Sequence, residues 1–342
     1  MNRSRILALS CAAASFAMLF TSSLSHAAED AAKPAAQAVS DAVKAAREQV
    51  RLHPGDVLAH LALGDALYDA GDYSGSKTAL QGAVKADAKN FQARLNLATM
   101  DYLTADYENA ITEGREAIRL DATSADAHNI VGASLGALDR RAEEITEERA
   151  AIRLDPTMAA AHNNLAMALM YTDKQTEAIF EFREAVRLAP KDPDYQAHLG
   201  ICLSNSGKYE EAAKYFRSSL AIASKDADNH NFLGVALYHL GKLDEAIAEY
   251  QEAIRLNPKL DLAYQNLGLA YSDQGNYEKA IPALRTAATL APDDPDTHLM
   301  LGSALVKTGK TEDGRAEWTK VLATGDDASK KKAQDLLDTH PE

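Results

Sequence analysis

Aromatic residues are scarce in this chain, at 6% of 342 residues, with one tryptophan, Trp318. So low a share argues against a β-sandwich or barrel, whose strands draw on aromatic and β-branched side chains. Cysteine is scarcer still: Cys11 and Cys202 are the only two. That rules out a disulfide framework, and no zinc motif accompanies them. Positive charge is also short, with 36 Lys and Arg against 50 Asp and Glu and a net charge of −14. No basic patch able to neutralise phosphates stands out, which argues against nucleic acid and anionic membrane surfaces as partners. Beyond residue 20 there is no apolar run of membrane-spanning length.

What is present is ordinary for a soluble chain, 46% hydrophobic and 25% charged, with alanine abundant enough to favour closely packed helices. Length alone suggests two domains. The first residues read as an export signal. Arg3 and Arg5 precede the apolar run Ile6 to Phe20, and Ser25-His26-Ala27 places small residues where a signal peptidase reads. Cleavage is expected after Ala27, with Ala28 as second choice, and the lipoprotein alternative at Cys11 fails because Ala8 stands where leucine is required. The expected address is the periplasm of a Gram-negative bacterium, or secretion beyond it. Removing residues 1–27 takes away two arginines, leaves a net charge of −16, and leaves no second cysteine with which Cys202 could form an intrachain disulfide.

A small residue recurs every 34 positions at Gly64, Ala98, Gly132, Ala166, Gly200, Gly234, Gly268 and Gly302, with no insertion across residues 57–328. Eight gap-free repeats define the architecture. Within each, apolar and small residues at positions 4, 7, 8 and 11 form one helical stripe, and those at 20, 24 and 27 form a second. The small residues at positions 8 and 20 should meet. Glycine at position 15 (Gly71, Gly207, Gly241, Gly275, Gly309) suits the left-handed residue that ends a helix. Asp192-Pro193 and Asp294-Pro295 read as N-cap and first-turn proline.

This pattern resembles the tetratricopeptide-repeat family. The sixth repeat carries it most fully, with Leu233-Gly234, Leu237, Ala246, Tyr250, Ala253 and Pro258 on family positions. The resemblance implies an all-α fold, a right-handed α-solenoid of stacked antiparallel helix pairs. Residues 28–36 read as a linker, 37–56 as an N-terminal capping helix, 57–328 as the eight repeats, and 327–342 as a C-terminal capping helix and tail anchored by Leu336 and Leu337.

Repeat 3 departs from the pattern, with Glu144 and Glu148 at positions 20 and 24. Burying unpaired carboxylates is costly, so the helix is expected to turn both outward beside Arg140, Arg141 and Arg149, the other reading being a soft joint at this repeat. Pro282 should bend the second helix of repeat 7, and Trp318 is read as core.

Histidine recurs at position 4, as His60, His128, His162, His230 and His298. These are read as structural: neighbours lie one helix pair apart, too far for one metal ion. His198 and His239 alone are placed towards the groove. No catalytic, metal or cofactor motif is found, and enzymatic activity is not expected.

In the resembled family the inner wall is a concave groove for peptides, formed by positions 2, 5, 9 and 12. Position 9 reads Met167, Ile201, Val235 and Leu269 through repeats 4 to 7, with Met170 and Tyr238 at position 12. This ribbon is either a binding surface or covered by neighbouring helices. Asn129, Asn163 and Asn231 occupy position 5, and Asn164 and Asn266, with Asn96, position 6. Those at position 6 resemble a partial version of the asparagine ladder of O-linked N-acetylglucosamine transferases, the other reading being that the asparagines bond to adjacent repeats. The basic residues of a carboxylate clamp are absent. The expectation is a scaffold or adaptor for an apolar or amphipathic protein segment in the cell envelope. The alternatives are an accessory subunit of a glycosyltransferase, its catalytic domain on a partner chain, or a cell-wall glycan-binding protein.

Overall fold

A computed structural model describes residues 26–341, and the described residues form eighteen α-helices and no strand. The leader expected over residues 1–27 falls outside them but for its last two positions. The chain divides into two compact bodies, one ending at Leu188 and one beginning at Ala189. In the amino-terminal body α1 (His26–Leu52) precedes four helix pairs: α2 (Val57–Asp69) with α3 (Tyr73–Ala86), α4 (Phe91–Leu103) with α5 (Tyr107–Leu120), α6 (Ala125–Ala137) with α7 (Arg141–Leu154), and α8 (Ala159–Tyr171) with α9 (Gln175–Leu188). The carboxy-terminal body pairs α10 (Pro193–Asn205) with α11 (Tyr209–Ile222), α12 (Ala227–His239) with α13 (Leu243–Leu256), α14 (Asp261–Asp273) with α15 (Tyr277–Leu290), and α16 (Pro295–Lys307) with α17 (Thr311–Thr324). It closes with α18 (Asp327–Thr339). Each repeat thus places its first helix at positions 1–13 and its second at 17–30.

The boundaries follow from local chemistry. Side chains at the last position of a repeat cap the next helix: Asn90 accepts from Ala93 N at 2.9 Å, Ser124 from Ala127 N at 3.1 Å, and Asp294 from Thr297 N at 2.9 Å. Asp192 and Asp294 stand as N-caps before a first-turn proline, as their spacing predicts. At position 15 the five glycines have φ between +72° and +80°. The same column holds Ala105, Asp139 and Asp173 at φ of +58° to +59°, so the turn demands the left-handed conformation whatever residue occupies it. An alanine there carries a penalty of about 1–2 kcal/mol, partly offset because it restricts the unfolded chain. Ala105→Gly is expected to stabilise the protein by about 1 kcal/mol, seen as a higher urea midpoint at unchanged slope. An unchanged or lower midpoint would contradict this.

Positions 8 and 20 do meet. Ser76 Oγ donates to Gly64 O at 2.8 Å, and a methyl group on Gly314 would come within 2.6 Å of Gly302 O. The sequence does not announce that position 8 also receives the large side chain from position 24. Phe216 lies on Gly200, Tyr250 on Gly234 and Trp318 on Gly302, and all three are fully buried, each contributing on the order of 2–3 kcal/mol. Trp318 is core, as expected; its indole N–H donates to Leu299 O at 3.2 Å.

Residues 28–36, expected as a linker, are helical and belong to α1. Five alanines in nine residues outweigh Pro34. The following part of α1 caps the first repeat, with Ala46, Val43 and Val50 packed on Leu63 and Leu67. At the other end α18 lays Ala333, Leu336 and Leu337 against Trp318 and Val321, and Arg315 donates to Leu337 O at 2.8 Å. Pro282 is accommodated within α15, which keeps the fourteen residues of the other second helices.

The outward turn expected of Glu144 and Glu148 does not occur. Both point inward, Glu144 3% exposed and Glu148 0%. Gly132 and Gly136 on α6 make this possible: a methyl group on either would lie 2.5 Å from an oxygen of Glu148 or Glu144 respectively. Arg141 pairs with Glu144 at 2.9 Å, whereas Arg140 and Arg149 pair with surface carboxylates, Glu143 at 2.8 Å and Glu177 at 2.9 Å.

Candidate functional site

The first helices carry the sequence-predicted residues. In the amino-terminal body Met167 and Met170 of α8 are half-buried. In the carboxy-terminal body Ile201 of α10, Tyr238 of α12 and Leu269 of α14 are half-buried as well, while Val235 is only 4% exposed. The expected ribbon of exposed apolar residues is therefore interrupted at Val235. Tyr238 fixes its hydroxyl on Asp273 of the next first helix.

The asparagines take the inter-repeat role. Asn164 Nδ2 donates to Asn129 Oδ1 at 3.2 Å, and Asn266 Nδ2 to Asn231 Oδ1 at 3.0 Å. Each bond runs from position 6 of one repeat to position 5 of the repeat before. Asn163, Asn231 and Asn266 are buried. A continuous, solvent-facing ladder that could hold a backbone regardless of its sequence is thus not displayed by these residues. Asn96 is placed differently: it accepts from Gln92 at 2.6 Å and donates to Asp65 at 3.5 Å.

The histidine column is structural, and the partner that makes it so was missed from sequence. His128, His162, His230 and His298 each place Nδ1 2.6–2.7 Å from a carboxylate oxygen nineteen residues on, of Glu147, Glu181, Glu249 and Glu317. Nε2 faces a carbonyl of the preceding inter-repeat turn, Pro156 O at 3.2 Å for His162 and Pro292 O at 2.9 Å for His298. Glu181 raises the His162 pKa above its ordinary value. The legible signal was the covariation of positions 4 and 23 within the chain. Where Ala79 replaces the glutamate, His60 Nδ1 is left without a partner. Of the two histidines placed towards the groove, His239 stacks on Tyr209 with centroids 4.3 Å apart. Burial pushes the His198 pKa down to about 4.

Near the amino-terminal end, a cavity of about 190 Å³ lies between α2, α3 and α4, lined by Asp65, Tyr68, Ser76, Leu80, Asn96 and Thr99 among others. These are positions 9, 12, 20 and 24 of one repeat with 6 and 9 of the next, so the cavity defines which side chains face the space between successive first helices.

Residues 30–76, 61–125, 148–193 and 262–294 match the tetratricopeptide repeat, and residues 234–275 match the TPR repeat. The chain belongs to the tetratricopeptide-repeat family. Residues 172–253 of this repeat protein also match anaphase-promoting complex, cyclosome, subunit 3. Among solved structures, it is similar to a chain of the APC/C hetero-tetramer Cut9-Hcn1, at 20% identity and a TM-score of 0.58. That match covers 83% of this chain and spans only 55% of the other. YrrB, described as a TPR protein with an unusual peptide-binding site, matches at 22% identity and a TM-score of 0.49, covering 54% of this chain and 95% of its own. MamA from Desulfovibrio magneticus RS-1 matches at 25% identity and a TM-score of 0.46, covering 48% and 94%. No curated protein matches by sequence. Among the described residues there is no group of three or more His, Cys, Asp or Glu able to hold a metal ion, and no helix long and apolar enough to cross a membrane.

Proposed function

We propose that this tetratricopeptide-repeat protein is a non-catalytic scaffold that docks an apolar or amphipathic segment of another protein on the first helices within a body. The observation that carries this reading is partial exposure within each body taken by itself, of Met167 and Met170 in the amino-terminal body and of Ile201 and Leu269 in the carboxy-terminal body, beside residues that are buried and internally bonded. Methionine and aliphatic side chains left partly open among satisfied polar groups are adaptable contact surface. Several surface acids are held in local pairs, as Glu252 is with Arg255, and belong to a solvated coat. The proposed setting is the cell envelope, periplasmic or secreted, on the strength of Arg3, Arg5, the apolar run to Phe20 and the Ser25-His26-Ala27 site.

The test is a photo-crosslinking residue at Leu269 in cells, with the exposed turn residue Lys208 as control. A discrete crosslinked protein from Leu269 alone, lost when Ile201 is changed to glutamate in the still-folded protein, is the expected outcome. Equal products from both positions, or none from Leu269 in a folded protein, would overturn the reading.

A further inference from the structure

Glu148 is the one acidic residue in the position-24 column, where the other repeats hold Leu80, Gly114, Phe182, Phe216, Tyr250, Leu284 and Trp318. It is fully buried, and only half of its carboxyl group is satisfied. Asn164 Nδ2 donates to Oε1 at 3.2 Å, while Oε2 has no hydrogen-bond partner. Neither protonation state resolves this. A carboxylate leaves a buried oxygen without a donor, and a carboxylic acid leaves its O–H without an acceptor. Glu144, one turn away, already has its cation in Arg141, so no such charge is left for Glu148.

The surroundings are arranged around this group. Gly132 gives the carboxyl its room. By register with the cavity lined by Asp65, Tyr68, Ser76, Leu80 and Asn96, the corresponding wall in repeat 3 consists of Ala133, Gly136, Glu144, Glu148 and Asn164. Ala133 and Gly136 are the smallest pair that any repeat places at positions 9 and 12, and both are partly exposed. The two acids thus lie behind the thinnest cover on the first-helix row.

We infer that repeat 3 is a recognition pocket for an arginine side chain of the docked segment, with Glu148 as its buried counter-charge and Ala133 and Gly136 as its mouth. Guanidinium fits better than ammonium because it is weakly hydrated and presents paired N–H donors to a carboxylate. This rests on the scaffold reading above and names the chemistry of the partner it would hold.

The experiment is calorimetric titration of the full chain with acetyl-Ala-Ala-Arg-Ala-Ala-amide and with the same peptide carrying citrulline, in two buffers of different ionisation heat. Burial holds the Glu148 pKa well above the ordinary carboxylate range, so binding of arginine should expel a proton. The expected result is saturable binding of the arginine peptide with proton release, and at least tenfold weaker binding of citrulline. Glu148→Gln, folded by circular dichroism, should lose both the preference and the proton. Equal binding of the two peptides, undiminished binding by Glu148→Gln, or no saturable binding at millimolar peptide would overturn the inference. If crosslinking from Leu269 captures the same protein at the same affinity in Glu148→Gln, the scaffold reading stands and the arginine pocket falls.

Discussion

Replacing Glu148 with leucine is expected to stabilise the protein by about 2–4 kcal/mol at neutral pH, an unusually large gain for one substitution. The chain already contains the substituted arrangement twice: Leu80 packs on Gly64 and Leu284 on Gly268, and a leucine in place of Glu148 would pack on Gly132 in the same way. Asn164 would keep its bond to Asn129, so no amide is orphaned. The gain should depend on pH in a definite direction. Burial raises the Glu148 pKa well above 4.5 in the folded state. As pH climbs through 4.5 the unfolded carboxyl loses its proton while the folded one keeps it, so the native state binds more protons and the wild type loses stability relative to the variant. The difference should therefore be small near the unfolded pKa and widen towards neutrality. Urea unfolding of both proteins across this range checks it. A variant less stable than the wild type, or a gain independent of pH, would show that Glu148 is charged and well paired in the fold.

Trp318→Ala should cost about 3–5 kcal/mol in the carboxy-terminal body. Trp318 is 1% exposed, donates to Leu299 O in α16, and faces His340 beyond α18 with ring centroids 5.4 Å apart. One side chain of α17 therefore joins the last first helix to the cap. In a linear array each repeat is supported only by its neighbours, so the loss should be local before it is global. Hydrogen exchange should accelerate in α16, α17 and α18 well before α10 to α13. Uniform acceleration through the body would instead mean that it unfolds as one cooperative block.

The helices and their ends were legible because they depend on periodicity and on short-range chemistry, both of which survive in one dimension. Position 15 illustrates this: five glycines revealed a turn that Ala105, Asp139 and Asp173 also obey. Repeat 3 was misjudged because a rule about the cost of buried acids was applied without knowing that Gly132 and Gly136 had removed the side chains that would have excluded them. The ribbon was only partly legible. Helical angle places Met167, Val235 and Leu269 in one column, but depth in that column depends on side-chain length and on the neighbouring helix, so Val235 is covered while Leu269 is not. The asparagines had two readings in sequence because an amide serves a ligand or a neighbour equally well, and the choice between them is made by distance.

The two amide bonds that join successive repeats each span 35 residues, Asn129 to Asn164 and Asn231 to Asn266. A bond of that span constrains how such a gene can change. Tandem duplication of repeat 3 or repeat 6 keeps each donor beside an asparagine one module back, whereas loss of either would set Leu95 or Ala197 in that place. Deletion of a single codon inside a module instead rotates every later residue of that helix by about 100° and carries the donor past its acceptor. Module length is thus the quantity these bonds constrain, and the eight repeats run without one insertion.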